Sequence, residues 1–155
     1  GRADAAPSSL SDADAANAGG AADASSLSSY RVNDNGSLSV LASAVPTTET
    51  AACWVVMSAN GRTAFTTNAG SSSISAFKVK RNGSLTLTTQ DGVAGFTGEG
   101  SAPIDMALSD NGKFLYTLSA SDGSIAAFLV LGNRLLVPVP GINGLPTGMN
   151  GLAAF

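Results

Sequence analysis

The sequence contains no histidine and a single cysteine, Cys53. One cysteine rules out an intrachain disulfide. With no histidine, a structural zinc site has almost no ligands to draw on, and the Ser-His and Cys-His pairs of nucleophilic catalysis are excluded within this chain. Charge is scarce as well. Asp, Glu, Lys and Arg make up 12% of the residues, where soluble domains typically carry about a quarter. Eight Lys and Arg stand against eleven acids and, apart from Lys78, Lys80 and Arg81, are scattered singly, so the extended basic patch of a nucleic-acid binder is missing. No apolar run is long enough to span a bilayer as a helix. No basic-then-apolar leader opens the chain, so any secretion signal is expected to lie outside it.

Small residues fill the space instead. There are 18 Gly and much Ala, Ser and Thr, with 44% hydrophobic residues overall. Short strands with tight turns and a Ser/Thr surface produce this profile; long charged helices do not. Residues 1–26 are rich in Ala, Ser, Asp and Gly and poor in bulky apolar residues. Such a stretch buries too little to offset its ordering entropy, which predicts a low-complexity arm or leader.

From Leu27 onward the chain repeats itself. Leu27-Ser-Ser-Tyr30-Arg-Val returns as Ile74-Ser-Ala-Phe77-Lys-Val and again as Ile125-Ala-Ala-Phe128-Leu-Val. Met57-Ser-Ala-Asn60-Gly61-Arg62 reappears as Leu108-Ser-Asp-Asn111-Gly112-Lys113, and Asn35-Gly36-Ser37-Leu38 as Asn82-Gly83-Ser84-Leu85. Asn-Gly between apolar runs is a strong hairpin signal, because both central residues of the commonest two-residue turn need positive φ. A unit of about 50 residues made of strand and turn, without helical period, is a propeller blade.

The fold class expected is therefore all-β, built of four-stranded antiparallel propeller blades. With A the innermost strand and D the outermost, strands C and D occupy 27–42. A complete blade occupies 53–89, with A 53–58, B 63–68, C 73–79 and D 84–89. A second occupies 103–139, and a lone inner strand at 149–154 follows. No B strand is available to the first half-blade, so the arc is expected to remain open. Its partners are then a missing N-terminal propeller portion or further copies of the chain.

These residues resemble the lactonase-type propellers, the group of 6-phosphogluconolactonase-like and carboxymuconate-cyclase-like proteins. The likeness lies in an I-x-x-F-x-V-x-x-x-G-S-L strand pair over 74–85 and a P-x-x-x-x-x-S-x-[DN]-G-[KR]-x-[LA]-[YF] segment over 103–116. The close, Gly144-Leu-Pro-Thr-Gly-Met-Asn-Gly-Leu-Ala-Ala154, is similar to the usual end of bacterial members. The resemblance covers roughly 20–155. It implies a seven-bladed parent of about twice this length, with catalysis by His, Arg and acidic residues on one face. This chain lacks the His, and its Arg residues do not match that set.

Propeller topology puts the D-to-A and B-to-C connections on one face, where ligand sites are common. The loops at 43–52, 90–102, 69–72 and 120–123 fall there, carrying Thr47, Thr48, Glu49, Asn68, Asp91, Glu99 and Asp122. Glu49 and Glu99 lie one blade apart and are candidates for a general acid and base, with Asp105 as a third candidate. Trp54 takes the repeat position equivalent to Asp105. Trp54, Asn68 and Asp122 are candidate ligand-binding residues for a small polar ligand. The favoured structural alternative has Trp54 packed between blades, Asp105 bonded to backbone amides of the following loop, and the two Glu solvated. Cys53 is expected to be a buried small hydrophobe. Arg62 and Lys113 are turn-flanking charges on the opposite face. Asn35-Gly-Ser37 and Asn82-Gly-Ser84 match the N-glycosylation pattern, but the hairpin turns require the same residues.

No metal or cofactor is expected, and no nucleic-acid partner or membrane span. Three functions fit. One is an extracellular-type binding or structural propeller module, secreted or periplasmic. Another is a lactone hydrolase or cycloisomerase whose catalytic residues lie largely outside this chain. The last is a repeat that closes by self-assembly.

Overall fold

A computed structural model describes residues 12–132 and 134–155. Twelve strands form three antiparallel sheets, and no helix occurs among the described residues. The first sheet is β1 (Asp12–Asn17), β2 (Ser26–Val32) and β3 (Leu38–Pro46), in that order. The second runs β4 (Ala52–Met57), β5 (Thr63–Asn68), β6 (Ser73–Val79) and β7 (Leu85–Leu87), and β8 (Gly95–Phe96) also pairs with β6. The third runs β9 (Pro103–Leu108), β10 (Phe114–Ser119), β11 (Ser124–Val130) and β12 (Leu136–Ile142). The second and third sheets are propeller blades in A-to-D order, and the first is a blade from B to D. They are joined through their inner strands, with β4 packed against both β1 and β9.

Two apolar seams hold the blades together. Between the second and third blades lie Phe65, Ile74, Ala94, Met106, Leu115, Phe128 and Leu136. Between the first and second lie Leu27, Ala64, Phe77, Val79 and Leu85. Successive residues of a strand face opposite ways, so neighbours such as Ala64 and Phe65 serve different seams. A central blade is covered on both faces, which is why all six residues of β5 are buried. Each fully buried Phe contributes about 1.5–3 kcal/mol by leaving water.

Three expectations are corrected. Residues 12–17, assigned to the arm over 1–26, form β1 and pair in register with β2 from Asp12↔Arg31 to Asn17↔Ser26. Residues 1–11 lie outside the described residues. This strand occupies the B position that the first blade was expected to lack. Its residues are small, yet its ladder is complete and Ala16 packs on the first seam. The inner strand expected at 149–154 does not form, and those residues are coil. A strand needs a ladder partner, and the third blade already has its A strand, β9.

The turns also differ from expectation. Gly61 and Gly112 have φ of 64° and 65°, but the Asn before each is not left-handed. Gly61 N–H donates to Ser58 O at 2.8 Å, and Asn60 Oδ1 accepts from Arg62 N at 3.0 Å and Ser58 Oγ at 2.9 Å. Asn111 Oδ1 does the same for Lys113 N and Ser109 Oγ. Asn is there as a side-chain acceptor that closes a longer loop, and only the Gly supplies positive φ.

Candidate functional site

The D-to-A and B-to-C loops gather on one face and hang from each other by backbone bonds. Ala69 N donates to Ala51 O at 2.9 Å, and Ala120 N to Ala102 O at 3.3 Å. Thr47 N donates to Ser25 O, Thr97 N to Ser72 O and Leu145 N to Gly123 O, each at 2.9 Å. The last of these ties the chain's closing segment to the third blade. Left-handed non-glycine residues concentrate on this face: Asp23, Thr48, Ala51, Ser72 and Ala102, with φ between 50° and 58°. Ala51 and Ala102 hold equivalent places, each just before an inner strand. Such conformations persist only where surrounding bonds enforce them, and here the loop-to-loop bonds do so.

Two residues singled out from the sequence are brought together. Glu49 is buried, and its Oε2 accepts from Ser73 Oγ at 2.6 Å. Asn68, fully buried at the end of β5, donates through Nδ2 to Ser73 Oγ at 3.0 Å and Ser75 Oγ at 2.9 Å. Its Oδ1 has no hydrogen-bond partner among the described residues. Ser73 is itself buried, so its hydroxyl is enclosed and does not face an incoming substrate.

The same clasp recurs in the first blade, where sequence reasoning missed it. Asn17 Nδ2 donates to Ser26 Oγ at 3.0 Å and Ser28 Oγ at 3.1 Å. An Asn ending strand B is thus bonded to a Ser-x-Ser opening strand C. The pairs Ser26-Leu27-Ser28 and Ser73-Ile74-Ser75 were the readable signal. The third blade has Ser119, Ser124 and Ala126 at these places, and there Ser119 Oγ and Thr117 Oγ1 are buried without partners among the described residues.

The remaining candidates stand apart. Asp105 is buried, with Oδ1 accepting from Met106 N and Oδ2 from Leu152 N, both at 2.7 Å. Both carboxylate oxygens therefore hold backbone, one of them across 47 residues to the closing segment. Glu99 and Asp122 are exposed, and Asp122 Oδ1 accepts from Ser124 Oγ at 2.7 Å. Asp91 is also exposed and caps Val93 N at 3.2 Å. Thr47 is buried and Thr48 Oγ1 donates to Thr47 O.

Trp54 is 47% exposed and Cys53 is exposed, contrary to the expected interblade packing of one and burial of the other. The register of β4 against β5 shifts between Ala52 and Val55, and this bulge carries both side chains out of the seam. No group of three or more His, Cys, Asp or Glu converges on a metal-sized site among the described residues.

On the opposite face a cleft of about 200 Å³ opens between the second and third blades, lined by Ser58, Asn60, Phe65, Leu108, Val130 and Arg134 among others. Arg134 crosses it, donating from Nε to Thr63 Oγ1 at 3.0 Å and from Nη2 to Arg62 O at 3.4 Å.

Comparison with known proteins agrees with this architecture. The family model described as lactonase, 7-bladed beta-propeller, matches residues 13–105, more than half of the chain. No curated protein sequence matches. Among solved structures, a functionally unknown protein from Desulfotomaculum acetoxidans superposes with a TM-score of 0.66 at 18% identity, over 79% of this chain and 37% of that one. The periplasmic gluconolactonase of Pseudomonas aeruginosa gives 0.63 at 21% identity, over 82% and 38%. A putative 6-phosphogluconolactonase from Bacteroides uniformis gives 0.53 at 17% identity, over 78% and 50%. The chain spans less than two fifths of the length of the first two. Three consecutive blades and the matched family model place it plainly: the chain belongs to the lactonase family of seven-bladed β-propellers.

Proposed function

We propose that this chain serves as an arc of a larger propeller and acts as a binding or structural module of extracytoplasmic type, not as a self-sufficient hydrolase. The observation that carries this reading is how the acids on the ligand-bearing face are used. Asp105 spends both oxygens on backbone N–H groups, and Glu49 is enclosed against Ser73. A general base has to reach a substrate proton within hydrogen-bond distance, and neither buried acid is placed to do so. Trp54, Glu99 and Asp122 are each exposed and are left to meet a small polar ligand. Among the described residues no strand lies beside the inner edge of β1, which suits a ring closed by further propeller strands, whether from the same polypeptide or from another copy. A periplasmic neighbour of the same fold supports the extracytoplasmic assignment.

Lactone hydrolysis is the second reading, favoured by the family and by the neighbours named as gluconolactonases. Water would then open a cyclic ester to a hydroxy acid, with the catalytic groups supplied mainly from outside these residues. The test is lactone opening by the full-length protein, with Glu49→Gln and Glu99→Gln variants and with calorimetric titration of the corresponding hydroxy acid. The binding reading expects saturable titration, turnover no faster than the uncatalysed rate, and weaker titration for Trp54→Ala. Turnover that falls at least a hundredfold in either Glu variant overturns it.

A further inference from the structure

The two loops that enter blades two and three differ in one respect that the repeat makes interpretable. Thr47 and Thr97 are equivalent, each bonded to the residue preceding strand C: Thr47 Oγ1 to Ser25 O at 3.1 Å and Thr97 Oγ1 to Ser72 O at 2.7 Å. Two residues beyond them stand Glu49 and Glu99. Before the next inner strand, Ala51 and Ala102 are equivalent again. The second loop therefore holds one extra residue, and glycines flank its acid on both sides, with Gly98 at φ 112° and Gly100 at φ 71°. Glu49 lies inside the seam and Glu99 lies in solvent.

What each acid would face also differs. The first seam is filled by Asn68, Ser73 and Ser75 around the Glu49 carboxylate. In the second seam Asn68 is replaced by Ser119 and Ser75 by Ala126, so side-chain atoms are missing there, while Ser124, at the place of Ser73, donates to Asp122 Oδ1 at 2.7 Å. Ser119 and Thr117 share the face of β10 that carries Leu115 into the second seam. Their hydroxyls are fully buried and have no partner among the described residues. An unmade bond of a buried hydroxyl costs about 1–3 kcal/mol, so a group that could enter and accept from them is stabilised there.

We propose that Glu99 is a latch: the loop at 97–102 closes inward and sets the Glu99 carboxylate on the Ser119 and Thr117 hydroxyls, as Glu49 sits on Ser73. The structure then shows the open form of the second seam beside the closed form of the first. Thr97 and Ser101 stay fixed through their mutual bond at 2.7 Å, and the glycine-flanked acid between them moves. Closure would withdraw the Glu99 charge from the surface, whatever it meets there.

The test is hydrogen exchange of the 97–102 amides in the full-length protein, with a double-mutant cycle of Glu99→Gln and Ser119→Ala. The latch predicts that each single variant speeds exchange of this segment at least fivefold and that the double variant is no faster than either single. If Ser119→Ala fails to fold, Ser119→Thr, which retains a hydroxyl but crowds the niche, replaces it. Exchange that is unchanged in Glu99→Gln, or effects that add, overturns the proposal; the unpartnered hydroxyls are then served by water.

Discussion

Replacing Asp105 by Asn removes a single acceptor while keeping the shape of the side chain. Asp105 is 5% exposed, and its oxygens accept from Met106 N and Leu152 N at 2.7 Å each. Asn retains one carbonyl oxygen but presents N–H₂ where the second acceptor was, so one of the two amides loses its partner. Leu152 is the one expected to give way, because it lies in coil and Met106 lies in the middle of β9. A hydrogen bond to a charged group is worth about 1.5–3 kcal/mol, which puts Asp105→Asn at roughly 2 kcal/mol. Asp105→Ala orphans both amides and should cost about 3–5 kcal/mol. For a chain of this size, 2 kcal/mol lowers Tm by roughly 4–8 °C. The local signal is sharper. Exchange of the Leu152 amide should accelerate about thirtyfold, since each 1.4 kcal/mol is a factor of ten. Thermal unfolding by circular dichroism gives the first quantity and hydrogen exchange resolved to 149–155 gives the second. If Leu152 already exchanges freely in the parent protein, or if Asp105→Asn melts where the parent does, Asp105 does not hold the closing segment.

Further outcomes follow from the same geometry. Asn68→Ala should cost about 2–3 kcal/mol in urea unfolding with an unchanged m-value, because the Ser73 and Ser75 hydroxyls lose their donor inside the seam; Asn68→Ser, the residue of the third blade, should cost less. Cys53 should react with a thiol reagent in the native state, and Trp54 fluorescence should be quenched by acrylamide, with Trp54→Ala costing less than about 1 kcal/mol; a protected thiol or a shielded indole would restore the packed arrangement. Gly61→Ala should cost about 1 kcal/mol for its left-handed backbone alone, since its surroundings are open. Gly83→Ala should cost about 3 kcal/mol by calorimetry, since an added Cβ also collides with the Leu41 side chain and Gly83 O accepts the Ser29 hydroxyl at 2.6 Å.

Much of the blade plan was legible because repetition is a property of order along the chain. The sequence places β4, β5 and β6 within a residue of where they stand. Its failures have a common cause. β1 looks like a low-complexity leader because it buries little by itself; β2 supplies its ladder and the Asn17 clasp holds its end. The segment at 149–154 looks like an inner strand, but a strand is defined by its neighbour, and among the described residues none pairs with it. Asn-Gly announces a turn, whereas the turn's form follows from which groups the Asn carbonyl can reach.

Among the candidate site residues the division is similar. Glu49 and Glu99 look alike in sequence, but the loop of Glu99 holds one extra residue and a glycine on each side of the acid, and Glu49 lies inside a seam while Glu99 lies in water. Cys53 and Trp54 read as core residues of an inner strand, and a bulge in β4 turns both outward. Asp105 was legible as a ligand of backbone amides, but not as the anchor of a segment 47 residues away. By itself, then, the sequence determined the blade, its hairpin turns and its family, all of which rest on local pattern repeated at fixed spacing. Tertiary structure decided which polar groups are enclosed and which are presented, because burial depends on what the neighbouring blade brings to the seam.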